Sequence, residues 1–375
     1  MLFLWKFCNS STSVGCIAVF SMGCANISSP QQDIETWALP PCNKYLCPLL
    51  PMRALIPVTV VCSALLLLGV AGNILTVVVT GCSRSLRNTT SLYLGSLAVA
   101  DLLLLILGLP LDLYRLWRSR PWVLGTMLCR VWHWSGEACA YCSILHLTAL
   151  TVERYLAICF PLRAKVLVTR RRVKVLLVVL WTVALLSAAP FFFLVNVQPA
   201  DNTSSDDDFS HECGPTVHAK ESGLLGTMLL VTTSYFVLPC LCLYLLYGLI
   251  ARELLYGNKT HLGVASYQGH QQTVRMLVVL VLAFVICWLP FHIGRIIYIN
   301  AWSSRMMHFS QYFNVFALQL FYLSACINPI LYNLISKKYR AAAYKLLVTH
   351  RSGERASTMT RNTTSYRETS ASINN

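Results

Sequence analysis

Four carboxylates stand where the chain is otherwise apolar: Asp101, Asp112, Glu137 and Glu153. Two arginines share that setting, Arg154 directly after Glu153 and Arg295 in the run WLPFHIGRIIYIN at 288–300. An ionisable group in an apolar segment is costly, so each needs a partner or a task. The chemistry on offer is ion pairing and cation capture, because a carboxylate in a low-dielectric setting gains much from a nearby cation. Trp288, His292 and Arg295 are spaced four and three residues apart, which sets them on one helical face, with Pro290 between them. No phosphate loop, metal-ligand cluster or nucleophile elbow occurs in the sequence, so no enzymatic chemistry is assigned.

Elements of known depth must position those groups. The chain has 375 residues, 56% hydrophobic and 12% charged, with mean hydropathy +0.57. A soluble globular protein carries about 25% charged residues, so this composition points to a membrane protein. Seven apolar stretches run roughly over 56–80, 89–113, 127–160, 175–195, 223–250, 276–299 and 309–335. Each reaches the ~20 residues that cross ~30 Å of hydrocarbon as a helix. The expected fold is an all-α membrane protein, a seven-helix bundle over 55–336. Pro110, Pro190, Pro239, Pro290 and Pro329 are expected to kink its helices. No period of 20–50 residues repeats, which excludes solenoids and propellers. Helical rise sets Asp112 about 16 Å outward from Asp101, and Glu137 about 25 Å outward from Arg154. Asp112, Glu137 and Arg295 then belong to one mouth of the bundle, Asp101 to its middle and Glu153-Arg154 to the other rim.

Lysine and arginine counts set the direction. With the amino terminus outside, 19 fall on the inner side and ten on the outer, where eight of the 15 acids also lie. That imbalance favours an outer amino terminus (residues 1–54) and a cytoplasmic tail (349–375). The net charge of +15 is thereby explained by topology, and no nucleic-acid partner is expected. The sequons at Asn9, Asn26 and Asn202 fall outside, where glycosylation occurs; those at Asn88, Asn258 and Asn362 fall inside. Lys6 and the apolar Cys16–Met22 hint at a signal peptide, but Asn9–Gly15 breaks the apolar core, and an extracellular tail is the favoured reading. Most of the 16 cysteines lie in apolar runs, where a thiol behaves as a small hydrophobe. Cys42 and Cys47 are spaced closely enough to bridge, without being required to.

Glu153-Arg154-Tyr155 ends the third stretch, Cys287-Trp288-Leu289-Pro290 lies in the sixth, and Asn328-Pro329-Ile330-Leu331-Tyr332 in the seventh. Together, over about residues 50–350, these resemble the rhodopsin-like G-protein-coupled receptors. The runs DLYRLWRSRPWV (112–123), LTALTVERYLAICFPLRAKVLVTRRRV (147–173) and FYLSACINPILYNLISKKYRAAAYKLL (321–347) look like the motilin and ghrelin receptor branch. SRMMHFSQYFN (304–314) and YRETSA (366–371) lean to its motilin-type members, whereas the short loop near 196–222 has the ghrelin-type length.

The resemblance implies roles. Cys129 and Cys213 match the family disulfide. Glu137 matches the acid that holds the ligand's amine, and Arg295 is expected to pair with it until a ligand cation opens the pair; the alternative is that Arg295 snorkels to headgroups. Asp112, Arg115, Trp117, Trp134, Phe291, His292 and Phe321 are candidate pocket walls, and each aromatic among them reads equally as helix packing. Asp101, Ser143, Ser324 and Asn328 match a sodium site supported by Asn73, sodium being an allosteric modulator rather than a required cofactor. Arg154 matches the arginine that leaves Glu153 to meet a G protein, with Tyr155 beside it. Glu153 replaces the commoner aspartate and keeps its charge. Tyr247, Asn328, Pro329 and Tyr332 match the inner-face switch, Ile144, Pro239 and Phe284 the trio that repacks on activation, and Trp288 the link from ligand to that trio.

Residues 337–348, with Lys337, Lys338, Arg340 and Lys345 against Tyr339, Ala343, Leu346 and Leu347, read as an amphipathic helix on anionic lipid. The Ser/Thr-rich tail offers targets to receptor kinases and arrestin. The branch implies a plasma-membrane receptor for a motilin-like or, alternatively, ghrelin-like peptide hormone, coupled to a q/11-class G protein, phospholipase C and calcium; a constitutively active orphan member of the branch is the further alternative. Two other functions use the same architecture. A retinal light sensor needs a lysine in the seventh stretch, and none lies between Lys259 and Lys337. A transporter needs paired repeats with broken helices, which are absent from the sequence.

Overall fold

The computed structural model describes residues 49–83, 86, 88–199, 211–256, 264–300, 303–336 and 338–346. The sequons at Asn9, Asn26 and Asn202, the Cys42/Cys47 pair, Lys337 and the Ser/Thr-rich tail lie outside those residues. Seven helices are long and apolar enough to cross a membrane: Met52–Cys82, Thr89–Trp117, Gly125–Cys159, Arg170–Leu194, Leu224–Leu254, Leu277–Tyr298 and His308–Leu334. They are called the first to seventh spans here. The first, fourth and fifth keep little of their apolar window inside the bundle, whereas the second, third and seventh bury about half or more. Leu67 (72% exposed), Leu186 (67%) and Tyr244 (78%) therefore point outward. An apolar exterior of this extent belongs in hydrocarbon and not in water.

The helices start where the sequence permits. The first begins at Met52, a turn before the onset of its apolar run, with Pro51 at its cap and Pro57 inside. Asn88 caps the second by accepting from Ser91 N, and Thr169 caps the fourth by accepting from Arg172 N. The second span contains a π-helical turn at Leu104–Gly108, directly before Pro110. Proline has no N–H to give and crowds the carbonyl four residues back, and a widened turn relieves both problems. Between the third and fourth spans runs a short helix, Pro161–Leu167. After the seventh, residues 338–346 are helical, with Tyr339 and Ala343 turned inward and Tyr344 outward. Tyr339 reaches the first span, its hydroxyl 3.0 Å from Thr76 Oγ1.

Most of the interior falls into two layers. One, at the Cys129 end, gathers Trp132, Tyr141, Trp288, Phe291, Phe321 and Tyr322. The other, at the Arg154 end, gathers Tyr93, Ile144, Leu147, Leu277, Tyr332 and Tyr339. Strands β1 (Val195–Pro199) and β2 (His211–Pro215) pair antiparallel and cover the Cys129 end. A disulfide joins Cys129 to Cys213, with Cα atoms 5.7 Å apart. Arg120 Nε, 3.2 Å from Glu212 Oε2, ties the same hairpin to the turn after the second span.

Close approach at Gly69 sets the spacing of the first, second and seventh spans. A Cβ there would lie 2.6 Å from Cys326 Sγ and 2.7 Å from a Leu105 methyl. Gly69→Val is expected to cost about 1–3 kcal/mol by overpacking. Thermal unfolding of the detergent-solubilised protein, followed with a thiol-reactive dye, should show a midpoint lower by several degrees. An unchanged midpoint would mean that the helices separate there at no cost.

Candidate functional site

The third span runs through the centre of the bundle and carries Glu137 on a buried turn, and the sixth carries Arg295 opposite. Arg295 Nη2 lies 2.5 Å from Glu137 Oε1, with side-chain exposures of 1% and 5%. Arg295 therefore does not snorkel to headgroups; it turns inward onto the carboxylate. Its guanidinium also lies over the Phe291 ring, 4.8 Å from the centroid. Thr232 of the fifth span reaches the other carboxylate oxygen, Oγ1 to Oε2 at 3.4 Å, and Tyr141 OH lies 2.9 Å from Thr232 Oγ1. Glu137 is thus held from the fifth and sixth spans.

From this pair an unbroken stack of rings descends. Phe291 stacks on Phe321 at 5.0 Å, Phe321 meets Trp288 edge-on at 4.6 Å, and Trp288 stacks on Phe284 at 5.0 Å. Phe236 and His292 stack beside it at 4.4 Å. Ile144 and Phe284 line one cavity with Thr232 and Trp288, at the boundary of the two interior layers. Pro239 lies inside the fifth helix, three residues after Phe236.

Several of the candidate pocket walls bond neighbouring helices. Trp117 Nε1 donates to Thr59 Oγ1 of the first span at 2.9 Å, and Trp134 Nε1 to the Leu185 carbonyl of the fourth at 3.2 Å. Both indoles fasten helices, and Trp134 also packs against the core layer that holds Phe291 and Phe321. Asp112 accepts a hydrogen bond from Tyr322 OH of the seventh span. Arg115 lies over the Trp132 ring, 5.6 Å from its centroid. Tyr322, Thr232 and Tyr141 are additions of the structure. A hydroxyl in an apolar run has no periodicity to mark it out, and only the carboxylates they bond give them away.

Mid-bundle, Asn328 Nδ2 donates to Asp101 Oδ2 at 2.8 Å. A small cavity beside it is lined by Asp101, Ser143, Ser324 and Asn328 together with Trp288 and Phe284. Ser324 Oγ accepts from Trp288 Nε1 at 3.0 Å and donates to the Phe321 carbonyl. Asn73 Nδ2 donates to the Gly69 and Ala325 carbonyls, and its Oδ1, buried, has no hydrogen-bond partner among the described residues. A carboxylate, two hydroxyls and amide oxygens form a hard donor set suited to an alkali cation.

At the opposite end Glu153 is buried and accepts from Arg154 and, at 2.6 Å, from Thr89 Oγ1. Tyr155 packs edge-on against Phe160. Tyr247 OH lies 3.2 Å from Thr151 Oγ1. Tyr332, three residues after Pro329, is buried, and its hydroxyl has no hydrogen-bond partner among the described residues. The Glu153–Arg154 pair is formed, and neither tyrosine hydroxyl reaches the other.

Comparison with known proteins gives this arrangement a context. Residues 72–332 match the family described as 7 transmembrane receptor (rhodopsin family). The chain is 54% identical to the motilin receptor of Homo sapiens, over 90% of this chain and 94% of that protein. It is 49% identical to the growth hormone secretagogue receptor type 1 of Sus scrofa, over 83% of this chain and 87% of that protein. Identity to the neurotensin receptor type 1 of Homo sapiens is 34%, over 76% of this chain and 73% of that protein.

Proposed function

Because the chain belongs to the rhodopsin family of seven-transmembrane receptors, in its motilin and growth hormone secretagogue receptor branch, we propose that it is a receptor for a motilin-like peptide hormone. The family is one of signalling receptors, not of enzymes. The observation that carries this reading is the buried Glu137–Arg295 pair at the head of the ring stack. A peptide's amine is a cation that competes with Arg295 for Glu137, and it can do so only from the Cys129 end. The positive-inside imbalance supports that end as the exterior and the Arg154 end as the cytoplasmic one, and the branch implies the plasma membrane.

Binding and signalling then connect through geometry. An amine on Glu137 frees Arg295 from the carboxylate and shifts Phe291 beneath it. Phe321, Trp288 and Phe284 follow, because close-packed rings move by repacking and not by bending. Repacking around Ile144, Pro239 and Phe284 separates Arg154 from Glu153 and exposes it to a G protein, with Tyr247 and Tyr332 brought together. The q/11 class, phospholipase C and calcium release, and later binding of receptor kinases and arrestin to the tail, are the branch's implication for this chain. The test is calcium release in cells expressing it, with buffer, motilin and ghrelin applied in parallel. A motilin response supports the reading, a ghrelin response moves it within the branch, and silence at verified surface expression defeats it.

A sodium ion would be held by Asp101, Ser143, Ser324 and Asn328, favouring the arrangement in which Trp288 is bonded to Ser324. Asp101→Asn is expected to abolish the fall in peptide affinity that sodium, compared with N-methyl-D-glucamine, produces in the unmodified receptor. Equal sodium dependence in the variant would refute the site.

A further inference from the structure

One turn of the first span, from Gly72 to Thr76, lies against the inner half of the seventh. Pro329 has no N–H for the Ala325 carbonyl, and Asn73 Nδ2 supplies the missing donor at 2.9 Å. Gly72 faces Pro329 so closely that a Cβ there would lie 3.0 Å from the proline Cβ. Thr76, 0% exposed, donates its hydroxyl to the Gly72 carbonyl at 2.9 Å. A hydroxyl has one hydrogen, so in the 3.0 Å contact between Thr76 Oγ1 and Tyr339 OH it is Tyr339 that donates. Tyr339 is 3% exposed, and its backbone N–H meets Ser336 Oγ at 3.2 Å. Next to it, Arg340 Nη1 donates to the Asn333 carbonyl at 2.9 Å, which fastens the last helix to the end of the seventh span. The Tyr339 ring meets Tyr332 edge-on, with centroids 6.1 Å apart. Tyr332 is buried, and its own hydroxyl has no hydrogen-bond partner among the described residues. Packing therefore sets where Tyr332 rests, and Tyr339 belongs to that packing.

Resting on the reading that Tyr332 moves toward Tyr247 on activation, we propose that the Tyr339 hydroxyl is a positioning group whose bond to Thr76 sets the receptor's output in the absence of peptide. Aromatic pairs gain from a particular edge-to-face geometry, so the seat offered to Tyr332 depends on how the Tyr339 ring is turned. A buried hydroxyl with one acceptor gives up that bond only at a cost, which holds the ring in one orientation. The acceptor is itself fixed, because Asn73 and Gly72 hold this turn of the first span against Ala325 and Pro329. The bond biases the equilibrium because the seat it builds is occupied in one of the two arrangements and vacated in the other.

The experiment is inositol phosphate accumulation without peptide, at equal surface density, for wild type, Tyr339→Phe, Thr76→Val, Thr76→Ser and the double variant Tyr339→Phe/Thr76→Val. Tyr339→Phe keeps the ring, loses one oxygen and should raise basal output about threefold. Thr76→Val should raise it at least as much, because it also strands the Tyr339 hydroxyl, and Thr76→Ser, which keeps the acceptor, should stay at baseline. The double variant should match Tyr339→Phe alone. Motilin potency should rise together with basal output, whereas a merely structural role would lower both. Basal output unchanged or lowered in Tyr339→Phe overturns the proposal, as do gains that multiply in the double variant. Tyr247→Phe and Tyr332→Phe separate it from the reading beneath it. If both leave the motilin response unchanged, the approach of the two tyrosines fails and the proposal with it. If they lower that response while Tyr339→Phe stays at baseline, only the Tyr339 assignment fails.

Discussion

Glu137→Gln should lower the potency of the activating peptide about a hundredfold or more while the protein still reaches the cell surface. The variant removes the ligand's counter-ion and leaves Arg295, 1% exposed, without its carboxylate. Removing one partner of a buried, hydrogen-bonded charge pair between ligand and protein costs about 2–5 kcal/mol of binding, and every 1.4 kcal/mol is about tenfold in affinity. Glutamine keeps the shape and the contact with Thr232, so the loss reports charge and not packing. Potency within threefold of wild type would remove Glu137 from recognition. Charge exchange addresses the pair itself: Glu137→Arg and Arg295→Glu should each abolish the response, and their combination should restore part of it. No recovery in the combination, at normal surface density, would reject the ion pair as the unit that the ligand opens.

The spans were legible because the bilayer fixes their length, and about 20 apolar residues leave little freedom for another fold. Glu137, Arg295, Asp101 and the Glu153-Arg154 pair were legible for a related reason: hydrocarbon makes a misplaced charge too costly to be incidental. The aromatic residues were not. Trp117 and Trp134 read equally as pocket walls or as helix packing, because an indole in a span carries no mark of the face it serves; their bonds to Thr59 and to the Leu185 carbonyl appear only once the helices are packed. Asp112 was visible as an intramembrane acid, but its partner Tyr322 became evident only when the second and seventh spans were packed together. The π-helical turn at Leu104–Gly108 follows from Pro110 in hindsight, yet proline alone permits a kink or a widened turn. His133 was hidden more thoroughly: a histidine beside two tryptophans reads as interior packing until both its nitrogens are found without hydrogen-bond partners among the described residues.

Glu153→Gln should raise basal calcium signalling without any peptide, and Arg154→Ala should abolish the peptide's signal while leaving its binding intact. The two variants act on opposite sides of one equilibrium. Glu153 accepts from both Arg154 and Thr89, which stabilises the arrangement with Arg154 turned inward. A resting receptor that is 1% active needs a change of only about 1.4 kcal/mol to become about 10% active, roughly a tenfold rise in basal output. Removing the charge from a buried acid that accepts a charge-assisted bond is worth at least that much. Thr89→Ala, which loses one neutral hydroxyl bond, should raise basal output by a smaller factor in the same direction. Inositol phosphate accumulation at equal surface density measures all three variants. If Glu153→Gln and Thr89→Ala both stay at the wild-type baseline, the inward pair is not what holds the receptor silent. The Thr151–Tyr247 contact would then be the element to loosen next, since it also ties the third span to a neighbour near Arg154.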